Sequence, residues 1–319
     1  MTSIGYHASH EQFAPSALLH YVEQAEAAGF DCAKSSDHFH PWSERQGQSG
    51  FAWSWLGAAM QATRLNFGMI SAPGYRYHPA VLAQAAATVA EMFPGRLWLA
   101  LGSGEAINEA MTGLPWPAKA ERNARLLECV EVIRALLAGE TVTHRGRVDV
   151  VEARLYTRPA RPLPLYGAAV TPETAALAGQ WADGLLTTGG DIAAVRKVVE
   201  AFRANGGENK PVHVQHALSW APTEPEAIGQ ALDQWSFAIA GGEVNWELRR
   251  PADFDRIGQL ATEEAVRKCV AISADLGQHR DWIADLMGLD VAAIHLHCVG
   301  RNQLEFIESF GASVLPGLK

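Results

Sequence analysis

The chain has 319 residues, 48 % of them hydrophobic and 19 % charged, the balance of a globular protein with one sizeable core. A net charge of −9, with no basic stripe to reverse it locally, argues against nucleic acid and anionic membrane surfaces as partners. The opening Met1-Thr2-Ser3-Ile4-Gly5-Tyr6 lacks the charged and apolar regions of a signal peptide, and no apolar run reaches the roughly 20 residues of a membrane span. The four cysteines, Cys32, Cys129, Cys269 and Cys298, lack zinc or redox-motif spacing, as expected of reduced thiols in a cytoplasmic protein.

In chain order, a short strand begins near Ile4. Pro15 then opens a helix with Leu18, Val22 and Ala25 on one face, ending at Gly29. A strand over 30–35 leads into Ser36-Asp37-His38-Phe39-His40-Pro41-Trp42, far richer in aromatic and titratable groups than an ordinary connecting loop. A helix over 51–63, a strand over 65–72 closed by Pro73-Gly74, and a helix from Pro79 to the Phe93-Pro94-Gly95 turn follow. The clearest buried strand covers 96–101 and runs through Gly102-Ser103-Gly104-Glu105 into a long helix carrying Leu126, Val130, Ile133 and Leu137, stopped by Gly139. Residues 141–156 alternate like a surface hairpin. Strands over 163–170 and 184–188 enclose a helix over 172–181, and the second ends at Gly189-Gly190. A helix over 192–204, a strand over 212–220 and a helix over 224–239 precede an irregular stretch, 241–262, that reads as a lid-like insertion. Helical segments within 263–289, a strand over 291–299 and a helix over 303–310 close the chain.

Eight strands, each followed by helix, require parallel pairing with right-handed crossovers and favour one (β/α)8 barrel domain spanning 1–319. Such a barrel places chemistry at the C-terminal ends of its strands. Those ends carry Glu11, Asp37-His38, Ile70-Ser71, Ser103-Gly104-Glu105, Ala168-Ala169, Thr187-Thr188-Gly189 and Trp220. Most are small or polar, so a flat ligand could approach the backbone closely.

Gly102-Ser103-Gly104 opens like a dinucleotide fingerprint, but Ile107 occupies the third glycine position and the reading fails. The remaining choices are a plain tight turn or a loop meeting a phosphate or a flavin-like ring. His38 and His40 have the two-residue spacing of barrel metallohydrolases, and His295 and His297 repeat it, with His213 and His216 as further candidates; no bridging carboxylate is evident. Trp53, Trp55, Trp98 and Trp181 read as core, whereas Trp42, beside Pro41 in a loop, has the stronger claim to a ligand. Glu105 follows a glycine loop in an apolar context, where a carboxylate either partners the next helix or carries a raised pKa suited to proton transfer.

Together these stretches resemble the luciferase-like flavin and deazaflavin oxidoreductases, in the branch of the deazaflavin-dependent glucose-6-phosphate dehydrogenases. The resemblance covers nearly the whole chain. It is carried by Glu11-Gln12-Phe13-Ala14-Pro15, Ser36 to Trp42, Arg76-Tyr77-His78-Pro79-Ala80, Gly102 to Glu109 and Ala182-Asp183-Gly184. It implies His38 and Glu105 as acid–base groups, Trp42 over the substrate, Asp37 orienting His38, Glu11 organising the polar end, and His40 in a supporting role. It also implies a ring lined by Asp37, Ile70, Ser71, Ser103, Gly104, Asn108, Ala168 and Ala169, with a cis peptide within Met69-Ile70-Ser71. Hydride would pass between a small organic substrate and the ring. Two departures bear on specificity. Gly190, Asn245 and Cys269 stand where the sugar-phosphate enzymes place basic residues, which removes charge-assisted phosphate contacts. Val170-Thr171 replaces a glycine pair beside the deazaflavin tail, which tilts the expected cofactor to FMN, with coenzyme F420 as the alternative. The resemblance thus implies a dehydrogenase or reductase, or a monooxygenase served by a flavin reductase, and a homodimer is the family habit.

Overall fold

The computed structural model of the chain describes residues 2–189 and 191–319. Gly190, part of the expected turn and of the expected phosphate side, lies outside the described residues.

The strands are β1 (Ser3–Ala8), β2 (Cys32–Ser36), β3 (Asn66–Ser71), β4 (Leu97–Leu101), the pair β5 (Val142–His144) and β6 (Val150–Ala153), then β7 (Leu165–Ala168), β8 (Gly184–Thr188), β9 (Val212–Ser219), β10 (Ala271–Ile272) and β11 (Ala293–Cys298). Parallel pairing runs β1-β2-β3-β4-β7-β8-β9-β11 and returns to β1, closing an eight-stranded barrel. The antiparallel pair β5–β6 forms a separate surface hairpin. β10 had no sequence signal. It pairs with Leu218 and Ser219, because β9 outruns β8 and leaves its last residues an open edge.

Local chemistry explains the boundaries. Pro15, Pro79 and Pro172 open their helices at the position where a missing N–H costs nothing. Gly139, in the left-handed region at φ 93°, ends the helix Lys119–Ala138. That helix starts later than expected. Gly113 and two prolines, Pro115 and Pro117, separate it from a four-residue helix, Ala106–Glu109, placed directly after β4. The insertion at 241–262 holds two short helices, Val244–Glu247 and Pro251–Gly258. The second is tied to the loop after β2, because Asp255 accepts hydrogen bonds from Ser43 Oγ at 2.6 Å and Glu44 N at 2.9 Å.

Of the four hydrophobic clusters among the described residues, two build the barrel itself. The larger lies between sheet and helices and contains outward-facing residues such as Tyr6, Phe67, Met69 and Leu99. The smaller fills the barrel's lower interior. There Trp98 stacks on Tyr166 at 5.0 Å, and His213 and His295 pack against the indole. Gly5, Gly68 and Gly184 leave room for this plug. A Cβ at Gly68 would run into the Trp98 ring, and one at Gly184 would lie 2.7 Å from Tyr166. Gly68→Ala is therefore expected to destabilise the fold by about 1–3 kcal/mol through overpacking, read as a lower urea midpoint.

One expectation fails. The segment Met69-Ile70-Ser71 contains no cis peptide; every peptide bond between described residues is trans.

Candidate active site

Strand alternation carries the interior upward from the plug. Two residues beyond it, His7, Lys34, Ile70, Ala168, Gln215 and His297 form the next layer, and this layer floors a cavity of about 560 Å³ at the strand C-termini. That volume suits a small-molecule or cofactor site. All the residues expected at the site line it: His38, Trp42 and Glu105, and with them Asp37, Ile70, Ser71, Ser103, Gly104, Asn108, Ala168 and Ala169.

His38 stands between two carboxylates. Its Nε2 lies 3.3 Å from Glu11 Oε1 and 3.8 Å from Glu105 Oε2. Glu11 is buried and held on both oxygens, by Ser36 Oγ at 2.8 and 3.0 Å and by Ser9 Oγ at 2.9 Å. Burial opposes its ionisation, but His38, the residue's own backbone N–H and Ser36 prevail and bring its pKa from 4.5 down to about 2. Glu11 is therefore a fixed negative charge. Glu105 is shifted the other way, raised chiefly by burial and further by Glu11, against the pull of His38. With 29 % of its side chain accessible, it is the carboxyl open to the cavity.

Asn108 sets the His38 ring. Its Oδ1 accepts Phe39 N–H at 2.9 Å, which turns its amide nitrogen toward His38 Nδ1 at 3.2 Å and Glu105 Oε2 at 3.3 Å. In that arrangement Nδ1 accepts and the ring proton sits on Nε2, between the carboxylates. His40 O also lies 3.3 Å from Nδ1, so the opposite tautomer has a partner ready and leaves Nε2 free to accept. One ring thus serves as proton donor or acceptor.

The expected role of Asp37 is corrected. It does not orient His38. Its carboxylate is bound by Ser71 Oγ at 2.8 Å, Tyr77 OH at 3.1 Å and Arg76 Nη1 at 3.2 Å, which locks the end of β2 to the end of β3. His40 supports the loop through Nδ1, 2.7 Å from Ile107 O. The two imidazoles diverge, and no group of three or more His, Cys, Asp or Glu among the described residues could hold a metal ion. The metallohydrolase reading therefore lacks a ligand set. His295 and His297 are equally committed inside the barrel, to His213 at 3.2 Å and to Gln12 and Gln215 at 3.2 Å each.

Trp42 lies face to face with Phe237 at 5.4 Å and edge-on to Phe254 at 5.3 Å, with its ring 4.9 Å from that of His38. With Trp235, Phe237 and Ala238 it makes an apolar wall beside His38 and Glu105. The opposite wall is small and flat. A Cβ at Gly102 would touch only Ala168, at 3.6 Å, whereas Gly104 adopts φ 82°, a conformation that favours glycine. Val170 lines the cavity, but Thr171 does not: its hydroxyl accepts from Thr174 N in the cap of the next helix.

Sequence reading missed Lys34, His7, Lys119, Trp235 and Phe237. Lys34 carried a usable signal, since an inward phase for Ser36, next to Asp37, puts Lys34 on the same face two residues earlier. Trp235 and Phe237 looked like the end of a helix, and only the break after Trp235 turns them toward the cavity. Lys34 is fully buried and has no ion pair or hydrogen bond among the described residues. Burial brings its amine from 10.5 down to about 7, against the pull of Glu11. Between those values the unfolded chain binds the proton that the folded chain has released, so this contribution to stability rises with pH from 7 toward 10.5. Lys34→Met is expected to be more stable than wild type below pH 7, by on the order of a few kcal/mol, with the gap closing toward pH 10 in urea titrations.

A closed parallel barrel with an imidazole–carboxylate cluster facing one cavity at its strand C-termini defines a barrel enzyme whose proton chemistry lies at that end. The chain belongs to the Luciferase-like monooxygenase family, which it matches over residues 1–292, and it is an oxidoreductase. It is 35 % identical to an F420-dependent glucose-6-phosphate dehydrogenase of Intrasporangium calvum, covering 100 % of this chain and 99 % of the relative. The corresponding enzyme of Nakamurella multipartita is 36 % identical, over 99 % and 96 %. The solved structure of an F420-dependent secondary alcohol dehydrogenase in complex with an F420-acetone adduct superposes with a TM-score of 0.91 at 29 % identity, covering all of both chains. No described helix is long and apolar enough to cross a membrane.

Proposed function

We propose that this protein is a coenzyme F420-dependent dehydrogenase that interconverts a small uncharged alcohol and its carbonyl compound. The observation that carries the reading is His38 Nε2 held between a fixed carboxylate, Glu11, and an open one, Glu105, beside a flat small-residue wall. The residues suit a ring cofactor: Gly102, Ala168 and Ala169 allow close approach, and the buried Thr187 Oγ1 and His7 Nδ1 at the cavity lack hydrogen-bond partners. Ile70, Ser71, Gly104 and Ala168 would hold the ring, which when bound supplies the hydride acceptor. His38 and Glu105 carry the substrate hydroxyl proton, and Glu11 stabilises the imidazolium. The apolar wall excludes water and fits an uncharged carbon skeleton.

The relatives' names shift the cofactor from FMN, favoured by sequence reading, to F420. The capping role of Thr171 weakens the crowding argument for FMN. FMN remains the second reading, because Val170 still stands at the cavity edge. The relatives act on glucose 6-phosphate by name, but Asn245 and Cys269 bring no positive charge to this cavity. Lys119, its other lysine besides Lys34, is 2.9 Å from Ser103 Oγ and 5.0 Å from the Trp246 ring centroid. With F420 supplied, kcat/KM for a short secondary alcohol is expected to exceed that for glucose 6-phosphate by about 100-fold or more, in line with lost charge-assisted contacts. Preference for the sugar phosphate would refute the substrate assignment.

A further inference from the structure

Half of the cavity floor is polar, and its groups are only partly used. His297 is satisfied: its Nε2 meets Gln12 Oε1 and its Nδ1 meets Gln215 Nε2, each at 3.2 Å. The remainder is open. Lys34, 1 % exposed, and His7, 3 % exposed, both line the cavity, and His7 Nδ1 has no hydrogen-bond partner. Gln215 Oε1 likewise makes no hydrogen bond among the described residues. On the other half, Ile70, Ala168 and Leu186 are apolar. A buried cation with no counter-ion contact weakens the fold unless a ligand supplies negative charge.

We propose that this floor seats the acyl-urea edge of the ring cofactor, with Lys34 and His7 facing its carbonyl acceptors and Lys34 matching the negative charge that reduction places there. The inference rests on the proposed ring-cofactor function. A flavin or deazaflavin ring has one carbon-rich end and one end where two carbonyls flank an N–H. The donor on Lys34, the His7 ring, whose Nδ1 donates in one of its two tautomers, and the free acceptor on Gln215 complement only the second. Electron balance gives the lysine its purpose. A neutral ring that takes a hydride, two electrons and one proton, without a further proton, becomes an anion whose charge spreads over that edge, while the substrate's hydroxyl proton goes to the His38–Glu105 pair. Lys34 then stabilises the reduced ring more than the oxidised one.

The test measures binding of oxidised and chemically reduced F420, and of FMN in both states without oxygen, by quenching of tryptophan fluorescence. Wild type, Lys34→Met and Lys34→Arg are compared, with thermal midpoints taken with and without each ring. The expected result is that Lys34→Met weakens binding of the reduced ring at least tenfold more than that of the oxidised ring. For a two-electron couple that lowers the bound potential by about 30 mV. Lys34→Arg should restore part of the preference. The ligand-free Lys34→Met protein should melt higher than wild type and gain less from the reduced ring. Equal weakening of both redox states, or none, would overturn the assignment of Lys34 while leaving the cofactor reading intact. Failure of wild type to bind either ring would overturn both.

Discussion

His38→Ala is expected to lower kcat by about 10²–10⁴-fold, the range for loss of a positioned acid–base group, while ring affinity changes only a few-fold. Three contacts make this the largest catalytic effect. Glu11, ionised down to a pKa of about 2, pins Nε2 from one side, and Asn108 aims the ring from the other. Glu105 lies 3.8 Å from the same nitrogen and faces the cavity. Asn108→Ala should show a smaller loss in kcat, because it frees the tautomer without removing the group. Steady-state rates and ring titrations on the same preparations separate the two effects; equal loss of binding and turnover in His38→Ala would move His38 out of the chemistry and into cofactor binding.

The largest structural effect is expected at Asp37. Its side chain is fully buried and meets Arg76, itself 9 % accessible, together with the hydroxyls of Ser71 and Tyr77. Removing one partner of a buried ion pair leaves the other charge uncompensated, at about 3–5 kcal/mol. Asp37→Ala should lose that much in urea unfolding. The damage would reach the site, because Arg76 also bonds the Asp37 carbonyl at 2.7 Å and Glu109 lies close by. Burial lifts the Glu109 carboxyl to about 7 even with Arg76 opposing, so it cannot take over as a full counter-charge at neutral pH. A loss below about 1 kcal/mol would show the pair to be dispensable.

These residues also show how far a sequence can be read. The barrel was legible because much of it is written locally: short strand runs end at turn residues, Pro15, Pro79 and Pro172 open helices, and Gly139 closes one. Where a feature depends on a distant partner, the pattern is silent. β10 exists only because β9 outlasts β8. The sequence-expected site residues share one cavity, because strand ends converge in a closed barrel whatever their spacing in the chain. Their roles were less legible. Asp37 is adjacent to His38 in sequence yet bonds to Ser71, Arg76 and Tyr77, while Asn108, 70 residues away, aims the imidazole. Adjacency along a chain leaving a strand alternates side chains between faces, so neighbours in sequence need not touch. The polar floor was less legible: strand phase puts Lys34 on the face of Ser36, but only the closed barrel shows that this face meets His7, Gln215 and His297 in one layer.

On the proposed function, the cavity carries a deazaflavin ring and passes hydride to it from an uncharged alcohol. The most direct measurement adds oxidised F420 to the purified protein without oxygen, then a short secondary alcohol, and follows the visible absorbance of the ring. Saturable F420 binding is expected, with alcohol-dependent bleaching that His38→Ala slows at least 100-fold. Absence of F420 binding, or binding with no bleaching by any uncharged alcohol but rapid bleaching by glucose 6-phosphate, would contradict it.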